Sequence, residues 1–338
     1  MILKFEYIDG ALLKEMLLLA AKNLEDNKAQ INEMNVYPVP DGDTGTNMTL
    51  TIQSSVREVM QVADVSVANI CSAISRGALK GARGNSGVIL SQLFRGFVKA
   101  VDGKSKLTVD DMALALKEAS VSAYKAIMKP SEGTILTVAR VVGERAMEVA
   151  PLTKDSETFF DAVVAAGKNI LNQTPEMLPT LKQAGVVDAG GMGYYCILNG
   201  FAMAFKENAK FSIEDYATAG SSAGAQADFE NFVDDHDLES INFAYCTEFF
   251  VYEDETVFPA DIEDIFKEEF GPKGDCMLVI YQDLKTIQIF HVPLQNIPEY
   301  HQKNTNSIHK NNYTLSKTKC PFAIPNFFPE SKCSFNFL

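Results

Sequence analysis

The sequence predicts a mainly α-helical protein in which a long helical domain precedes a partial α/β domain and an irregular tail. Three observations support this prediction. Apolar residues recur at helical spacing from residue 9 to about residue 208, with little of the alternation that strands show. Ala, Gly and Ser then dominate residues 204–226, which is typical of a linker. Beyond the linker, short runs rich in aromatic and β-branched residues predict strands.

Capping residues and glycines set the expected order of the helices. Asp9 caps a first helix that runs to about Asn32, and Thr108 opens a later one that runs to about Ile127. The other helices are expected at residues 46–62, 66–79, from Ser86 onward, 134–149, 155–171 and 176–183, and after Gly190-Gly191. Together they form the predicted helical domain, residues 9–203. Its glycine-rich joints precede helix N-termini, where backbone N–H groups can face an anion.

The second domain is expected at residues 227–284, with strands at 242–252 and 276–281 and a helix at 259–270. Residues 285–338 differ in composition, because they contain six Lys and two Glu and carry a net charge of +4. The first 284 residues carry −18. We expect residues 285–338 to form a divergent or disordered tail, and the abrupt charge reversal favours a truncation or a frameshift near Leu284.

Length and composition exclude several classes of protein. A chain of 338 residues accommodates two or three domains, and a net charge of −14 argues against a nucleic-acid partner. The six cysteines include no Cys-x-x-Cys pair, which predicts reduced thiols and a cytoplasmic protein. No apolar run is long enough for a membrane span, and the first residues do not resemble a signal peptide.

The most informative stretch covers residues 35–48 and centres on Asp41-Gly-Asp43. The spacing fits neither an EF-hand loop nor a haloacid-dehalogenase-type nucleophile, which follows a buried strand free of proline. Two interpretations remain. The two carboxylates can hold Mg2+ against phosphate oxygens, or the turn can cap a helix through Asp43 or Thr44. The flanking Pro-Val-Pro and Thr-Gly-Thr-Asn-Met favour the magnesium–phosphate interpretation.

Three further turns could also bind phosphate, through backbone N–H groups and hydroxyls. They are Gly-Ala-Arg-Gly-Asn-Ser-Gly at residues 81–87, Lys-Pro-Ser-Glu-Gly-Thr at residues 129–134, and Gly-Val-Val-Asp-Ala-Gly-Gly-Met-Gly at residues 185–193. Each turn alone has a structural explanation as a helix–helix connection. Four such turns in one helical domain favour a shared phosphate-bearing ligand.

These motifs resemble the nucleotide-binding domain shared by the dihydroxyacetone kinase L subunit and the bacterial fatty acid kinase ATP-binding subunit. The resemblance covers residues 9 to about 203, and the three motifs around residues 35–48, 81–87 and 188–193 match the fatty acid kinase versions. Tyr-Cys-Thr-Glu at Cys246 resembles the start of that family's middle domain, where a strand cysteine and paired histidines form a metal site. Only His291 stands in the corresponding stretch here.

The resemblance implies an antiparallel barrel of eight amphipathic helices that binds ATP and two Mg2+ ions at one end. It assigns the metal to Asp41 and Asp43, with Asn35 where dihydroxyacetone kinase relatives have a third aspartate. Thr44 stands where those relatives have histidine, and with the two aspartates it completes the implied catalytic set. The implied nucleotide-binding residues are Gly45, Asn47, Gly84, Asn85, Ser86, Gly87, Thr134, Asp188 and Gly190.

The implied reaction is ATP-dependent phosphorylation of a fatty acid carboxylate, presented by a separate fatty-acid-binding protein, to give an acyl phosphate. A homodimer is compatible with the resemblance. Two alternatives stay open: a dihydroxyacetone-type kinase with a triose substrate, and a non-catalytic nucleotide-binding regulator. Turnover with oleate and a partner would separate them.

Overall fold

The computed structural model describes residues 5–127 and 129–206 and four strands, 247–252, 277–281, 286–290 and 333–337. The first two ranges are almost entirely helical. The helices are α1 (Gly10–Asp26), α2 (Lys28–Glu33), α3 (Thr44–Met60), α4 (Val67–Gly81), α5 (Gly84–Ala100), α6 (Val109–Ala126), α7 (Ile135–Val149), α8 (Ser156–Met177), α9 (Pro179–Ala184) and α10 (Ala189–Met203). The predicted mainly α-helical class is confirmed.

The eight long helices form a closed ring, as expected for an eight-helix barrel. In the described part of the chain, α1 packs on α3, α3 on α4, α4 on α5, α7 on α8, α8 on α10, and α10 again on α1. Gly96 of α5 and Gly143 of α7 both lie against the backbone of α6. α6 therefore packs between α5 and α7. α1 and α10 run antiparallel, because Asn23 contacts Cys196 while Ala20 lies against Gly200.

An aromatic cluster fills the end of the barrel where α8 begins and α10 ends. Phe160 stacks on Phe205 with 5.3 Å between ring centroids, and Phe159, Phe201 and Phe5 pack edge-on around this pair. Edge-to-face and offset-stacked contacts are the arrangements that aromatic rings favour. The core at this end of the barrel is therefore aromatic, and the glycine-rich turns lie at the other end.

Several helix boundaries differ from the prediction by a few residues, and α10 begins at Ala189, before Gly190-Gly191. Two differences are larger. The first helix ends at Asp26, because the Asn27 side chain donates to the Asn23 carbonyl at 2.7 Å, and the short α2 follows separately. Pro175 was expected to precede a new helix but lies inside α8. Proline cannot donate to the Leu171 carbonyl, and the Thr174 hydroxyl donates to it at 2.7 Å instead. This bond allows α8 to continue to Met177.

The chain divides into two compact units, Met1–Lys125 with Pro130–Ala223 and Ala126–Lys129 with Gly224–Leu338. The second unit contains an antiparallel sheet with strand order β2-β3-β1-β4. The strands are β1 (Thr247–Tyr252), β2 (Met277–Tyr281), β3 (Thr286–Phe290) and β4 (Cys333–Phe337). β1 and β2 fall in the predicted strands, whereas β3 and β4 fall in the stretch expected to be irregular. Cys246, His291, the helix expected at residues 259–270 and most of the predicted linker lie outside the described residues.

None of the described helices combines the length and the apolar character that a membrane crossing requires.

Candidate functional site

The turn before α3 is shaped by one buried side chain, Asn35. Its Nδ2 donates to Asp41 Oδ1 at 2.5 Å and to the Val39 carbonyl at 3.2 Å. Its Oδ1 accepts a hydrogen bond from the Thr44 hydroxyl at 2.7 Å. Asn35 is only 5% exposed, whereas Asp41 is exposed. A fixed amide therefore orients a carboxylate that faces solvent.

The N-terminus of α3 is capped from α2, so neither acidic residue of the turn is used as its cap. Asn32 Oδ1 accepts from the Thr46 backbone N–H at 3.1 Å, and Asn32 Nδ2 donates to the Thr46 hydroxyl at 3.0 Å. Asp43 occupies the N-cap position, but its side chain makes no capping hydrogen bond. Capping by Asp43 or Thr44 therefore does not explain the motif.

The N-terminus of α5 lies directly against the first turns of α3. Gly84 has φ +54°, and a Cβ there would lie 2.4 Å from Asn47 Nδ2. One turn later, a Cβ on Gly87 would lie 2.4 Å from Thr51 Oγ1. A side chain at either position would have to displace Asn47 or Thr51 of α3. The two motifs thus meet, although their sequences are about 40 residues apart.

The loop before α7 contacts the aspartate turn. The Tyr37 hydroxyl donates to Ser131 Oγ at 3.1 Å. Thr134 is the N-cap of α7: its hydroxyl accepts from the Leu136 N–H at 3.3 Å and donates to the Ser131 carbonyl at 2.8 Å. The resemblance implies that Thr134 contacts the nucleotide. In the structure its hydroxyl is hydrogen-bonded to Ser131 and Leu136, at the junction of the loop and α7.

Asp188 accepts hydrogen bonds from backbone N–H groups at the N-termini of both α7 and α10. Its Oδ2 accepts from the Gly191 N–H at 2.7 Å, and the carboxylate also accepts from the Ile135 N–H at the start of α7. The Thr174 hydroxyl accepts from the Asp188 backbone N–H at 3.0 Å. Burial raises the pKa of Asp188 to about 7, although the two N–H groups act to lower the pKa.

The N-termini of α3, α5, α7 and α10 lie at the same end of the barrel. A Cβ on Gly193 would lie 2.6 Å from the Met48 sulfur, so α10 begins beside α3 as well as beside α7. None of these four helices has an acidic residue in its first turn. Because each N-terminus carries a partial positive charge, their combined field favours an anionic ligand.

The structure gives two predicted nucleotide contacts a packing role. A Cβ on Gly45 would lie 2.4 Å from the Lys28 carbonyl, so this glycine lets α3 pack on α2. A Cβ on Gly190 would lie 3.2 Å from Ile135 Cβ, beside the start of α7.

Four residues that shape this end were not among the predicted site residues: Asn32, Tyr37, Ser131 and Thr174. Tyr37 and Ser131 stand inside two of the predicted motifs, which is the signal that could have found them. Asn32 and Thr174 stand outside all four motifs and reach the site only through the fold.

The residues at this end fit the Mg2+ and nucleotide that the resemblance implies. Mg2+ in phosphate sites uses one or two carboxylates together with phosphate oxygens and waters, and Asp41 and Asp43 supply such a pair. No group of three or more His, Cys, Asp or Glu side chains within the described residues could hold a metal unaided. At the start of α5, Asn85 Oδ1 is buried without a hydrogen-bond partner and could accept from a donor such as a ribose hydroxyl or a metal-bound water.

Comparisons with known proteins show relatives of this chain and a family model for part of it. Protein YloV of Bacillus subtilis is 41% identical over 302 residues, which cover 87% of this chain and 53% of that protein. An uncharacterized protein from Staphylococcus epidermidis is 41% identical over 286 residues, covering 82% and 49%. The chain spans about half the length of the curated relatives it matches.

A dihydroxyacetone kinase from C. freundii, crystallised with AMP-PNP and Mg2+, matches with a TM-score of 0.43 and 17% identity over 60% of this chain and 35% of that one. This likeness is too distant to bear on the chemistry. The family model of the DAK2 domain matches residues 38–203, which include all four N-termini of the site. Residues 38–203 of this chain are therefore similar to the DAK2 domain.

Proposed function

We propose that the chain is a kinase subunit that binds Mg2+-ATP at the end of the barrel where α3, α5, α7 and α10 begin. The observation that carries the proposal is the convergence of four helix N-termini beside Asp41 and Asp43. A ligand that combines phosphates with a divalent cation suits this arrangement. The DAK2 match over residues 38–203 supports the same chemistry.

In this proposal the chain acts by positioning and by electrostatics. Asp41 and Asp43 hold Mg2+, which when bound neutralises phosphate charge. Asn35 orients Asp41 through its 2.5 Å hydrogen bond. Gly84 lets the backbone of α5 approach the phosphates, and the side chains of Asn85 and Ser86 supply hydrogen bonds. Gly87 keeps α5 against α3, and Asn47 lies between the two N-termini.

The acceptor that we propose is the carboxylate of a fatty acid, presented by a separate fatty-acid-binding protein, so that the product is an acyl phosphate. The fatty acid kinase versions of the motifs support this choice. A carboxylate is ionised at neutral pH and needs no general base, whereas a triose hydroxyl would need one. Residues 5–127 and 129–206 contain no histidine, and the Thr44 hydroxyl is bonded to Asn35. The described residues therefore offer no histidine as a general base, which favours a carboxylate acceptor.

Cytoplasmic localisation and the absence of a nucleic-acid partner belong to the same proposal. Cys71 and Cys196 are unpaired and buried within the described helices, in keeping with a reducing compartment. The net charge of −14 would repel a phosphate backbone except at a local cationic site.

Substitution of the two aspartates tests the nucleotide site. We expect Asp41→Ala or Asp43→Ala to lower the Mg2+-ATP affinity at least about tenfold in calorimetry, because each removes a charged metal ligand. Circular dichroism should stay near that of the wild type. Asp110→Ala is the matched control, since Asp110 is an exposed acid paired with Lys154 at the start of α6. Unchanged affinity in both variants would refute the metal assignment, and a collapsed fold would mean that the turn is structural.

Turnover tests the acceptor. The protein, ATP, Mg2+, oleate and a fatty-acid-binding protein should yield acyl phosphate, which hydroxylamine traps as a hydroxamate. Phosphorylation of dihydroxyacetone would identify the triose kinase instead. Tight Mg2+-ATP binding without turnover on either acceptor would favour the nucleotide-binding regulator.

A further inference from the structure

A cluster of polar side chains surrounds Glu132, in the loop before α7. Tyr124 of α6 donates its hydroxyl to Glu132 Oε1 at 2.8 Å. Thr137 and Arg140 of α7 donate to Glu132 Oε2 at 2.7 Å and 2.9 Å. One carboxylate therefore joins the end of α6, the loop and the first turns of α7. None of the sequence motifs assigns Glu132 a function.

The same loop is fixed at the next residue, Gly133. Its backbone N–H donates to Thr137 Oγ1 at 2.8 Å, and the Thr137 hydroxyl in turn donates to Glu132. Gly133 has φ +84°, and a Cβ there would lie 2.8 Å from Met177 Cβ and 3.0 Å from Leu178 Cγ. The loop is thus held by hydrogen bonds on one side and by the end of α8 on the other.

Glu132 stands between Ser131, which contacts the aspartate turn, and Thr134, which caps α7. Ser131, before it, accepts from the Tyr37 hydroxyl in the turn of residues 35–44. Thr134, after it, caps α7, whose Ile135 N–H is bonded to Asp188. A change in the position of Glu132 would therefore move both the contact to the aspartate turn and the start of α7.

Glu132 has more hydrogen-bond partners than a surface ion pair would give it. The Glu132 side chain is 54% exposed, and ion pairs at such exposure contribute little to stability. Glu132 nevertheless receives three donors from two helices. Burial acts to raise the pKa of Glu132, but the hydrogen bonds from Thr137, Arg140 and Tyr124 outweigh burial and lower the pKa. The carboxylate is therefore charged at neutral pH and oriented by its partners.

We propose that Glu132 is a positioning residue for the nucleotide site, which holds the loop of residues 130–134 against the aspartate turn of residues 35–44. This inference rests on the proposed function. Glu132 acts through Ser131 and Thr134 and does not contact the nucleotide itself.

The chain offers a matched control for this inference. Arg140 also pairs with Glu144, one turn further along α7, at 3.3 Å. Glu144 is 45% exposed, so Glu132→Gln and Glu144→Gln remove the same charge from the same arginine at similar exposure. Of the two glutamates, Glu132 belongs to the loop of residues 130–134, whereas Glu144 lies within α7.

We expect Glu132→Gln to weaken Mg2+-AMP-PNP binding about tenfold in calorimetry, with the melting temperature nearly unchanged, and Glu144→Gln to leave both unchanged. Hydrogen exchange should accelerate at residues 130–135 in Glu132→Gln only. Tyr124→Phe, which deletes one hydroxyl, should produce a smaller loss of the same kind. Tyr37→Phe combined with Glu132→Gln should weaken binding by less than the product of the two separate effects, because both act through Ser131.

Equal effects of the two glutamine variants on affinity, or a lower melting temperature in Glu132→Gln with unchanged affinity and exchange, would overturn the inference. The wild type separates this failure from that of the proposed function. If the wild type binds Mg2+-AMP-PNP and Glu132→Gln binds equally well, only the role of Glu132 is wrong. If the wild type does not bind, the nucleotide site and the inference are both overturned.

Discussion

Asp188 shows how a residue can be found from its motif while its role depends on the fold. The family resemblance of the glycine-rich motif around it implies proximity to a nucleotide. In the structure the carboxylate is buried and accepts N–H groups from α7 and α10. The Ile135 N–H comes from a helix that begins more than 50 residues earlier, so local sequence could not show this bond.

The raised pKa of Asp188 makes stability depend on pH. The folded protein retains a proton on Asp188 up to about pH 7, whereas an unfolded chain loses this proton near pH 4. Since the native state binds more protons in this window, its stability falls as the pH rises from about 4 to about 7.

We expect Asp188→Asn to remove this pH dependence. Urea denaturation of the wild type should show a loss of about 2 kcal/mol between pH 5 and pH 7 relative to the variant, since each pKa unit corresponds to about 1.4 kcal/mol. Parallel pH profiles for the two proteins would show that Asp188 titrates at its ordinary value.

At the scale of helices, the contact between α3 and α5 depends on glycines in both conformation and space. Gly84 combines a positive φ with a separation that leaves no room for a side chain beside Asn47. Gly185, the C-cap of α9, has a similar φ of +68°, but no atom lies within 4 Å of the position of its Cβ. Alanine at Gly185 would therefore introduce backbone strain alone, whereas alanine at Gly84 would introduce both backbone strain and steric overlap.

We expect Gly84→Ala to destabilise the protein more than Gly185→Ala. Both substitutions force alanine into the left-handed region at a cost of about 1 kcal/mol, but only Gly84→Ala must also displace Asn47. Thermal denaturation should show the larger loss for Gly84→Ala, and calorimetry should show weaker Mg2+-ATP binding in that variant alone. Equal losses of stability and affinity would contradict close packing at Gly84.

The helix boundaries illustrate the limits of prediction at this scale. Capping residues such as Asp9, Ser66 and Asp155 mark the starts of their helices and accept the expected backbone N–H groups. Pro175 predicts a helix end that the structure does not have, because proline normally ends a helix. The Thr174 hydroxyl compensates for the missing N–H, and propensity alone does not reveal such a side-chain substitute.

At the scale of the whole molecule, the two ends of the barrel differ in chemistry. Phenylalanines fill the end where α10 finishes, and polar turns with four helix N-termini form the end where it starts. Every site contact reported above lies between residues 28 and 193, within the first compact unit. These reported contacts therefore all join residues of the first unit.

We expect a shortened chain, residues 1–223, to fold and to bind Mg2+-ATP with an affinity within about twofold of the full chain. Far-UV circular dichroism should retain the helical signal, and thermal unfolding should be cooperative, as for most single domains. Loss of nucleotide binding with the helical signal intact would show that the second unit contributes to the site.

The sequence by itself determined the helical class, the order of the helices and the turns that carry glycine, aspartate and hydroxyl groups, because periodicity, caps and turn residues act over a few positions. Only the tertiary structure decided which turns meet. Tyr37 and Ser131 are 94 positions apart, and Asn23 and Cys196 are 173 positions apart. The same structure shows that Asn32 caps α3, so that Asp43 does not, and that Asp188 joins two helices. Such contacts depend on packing between distant segments, which no local pattern encodes.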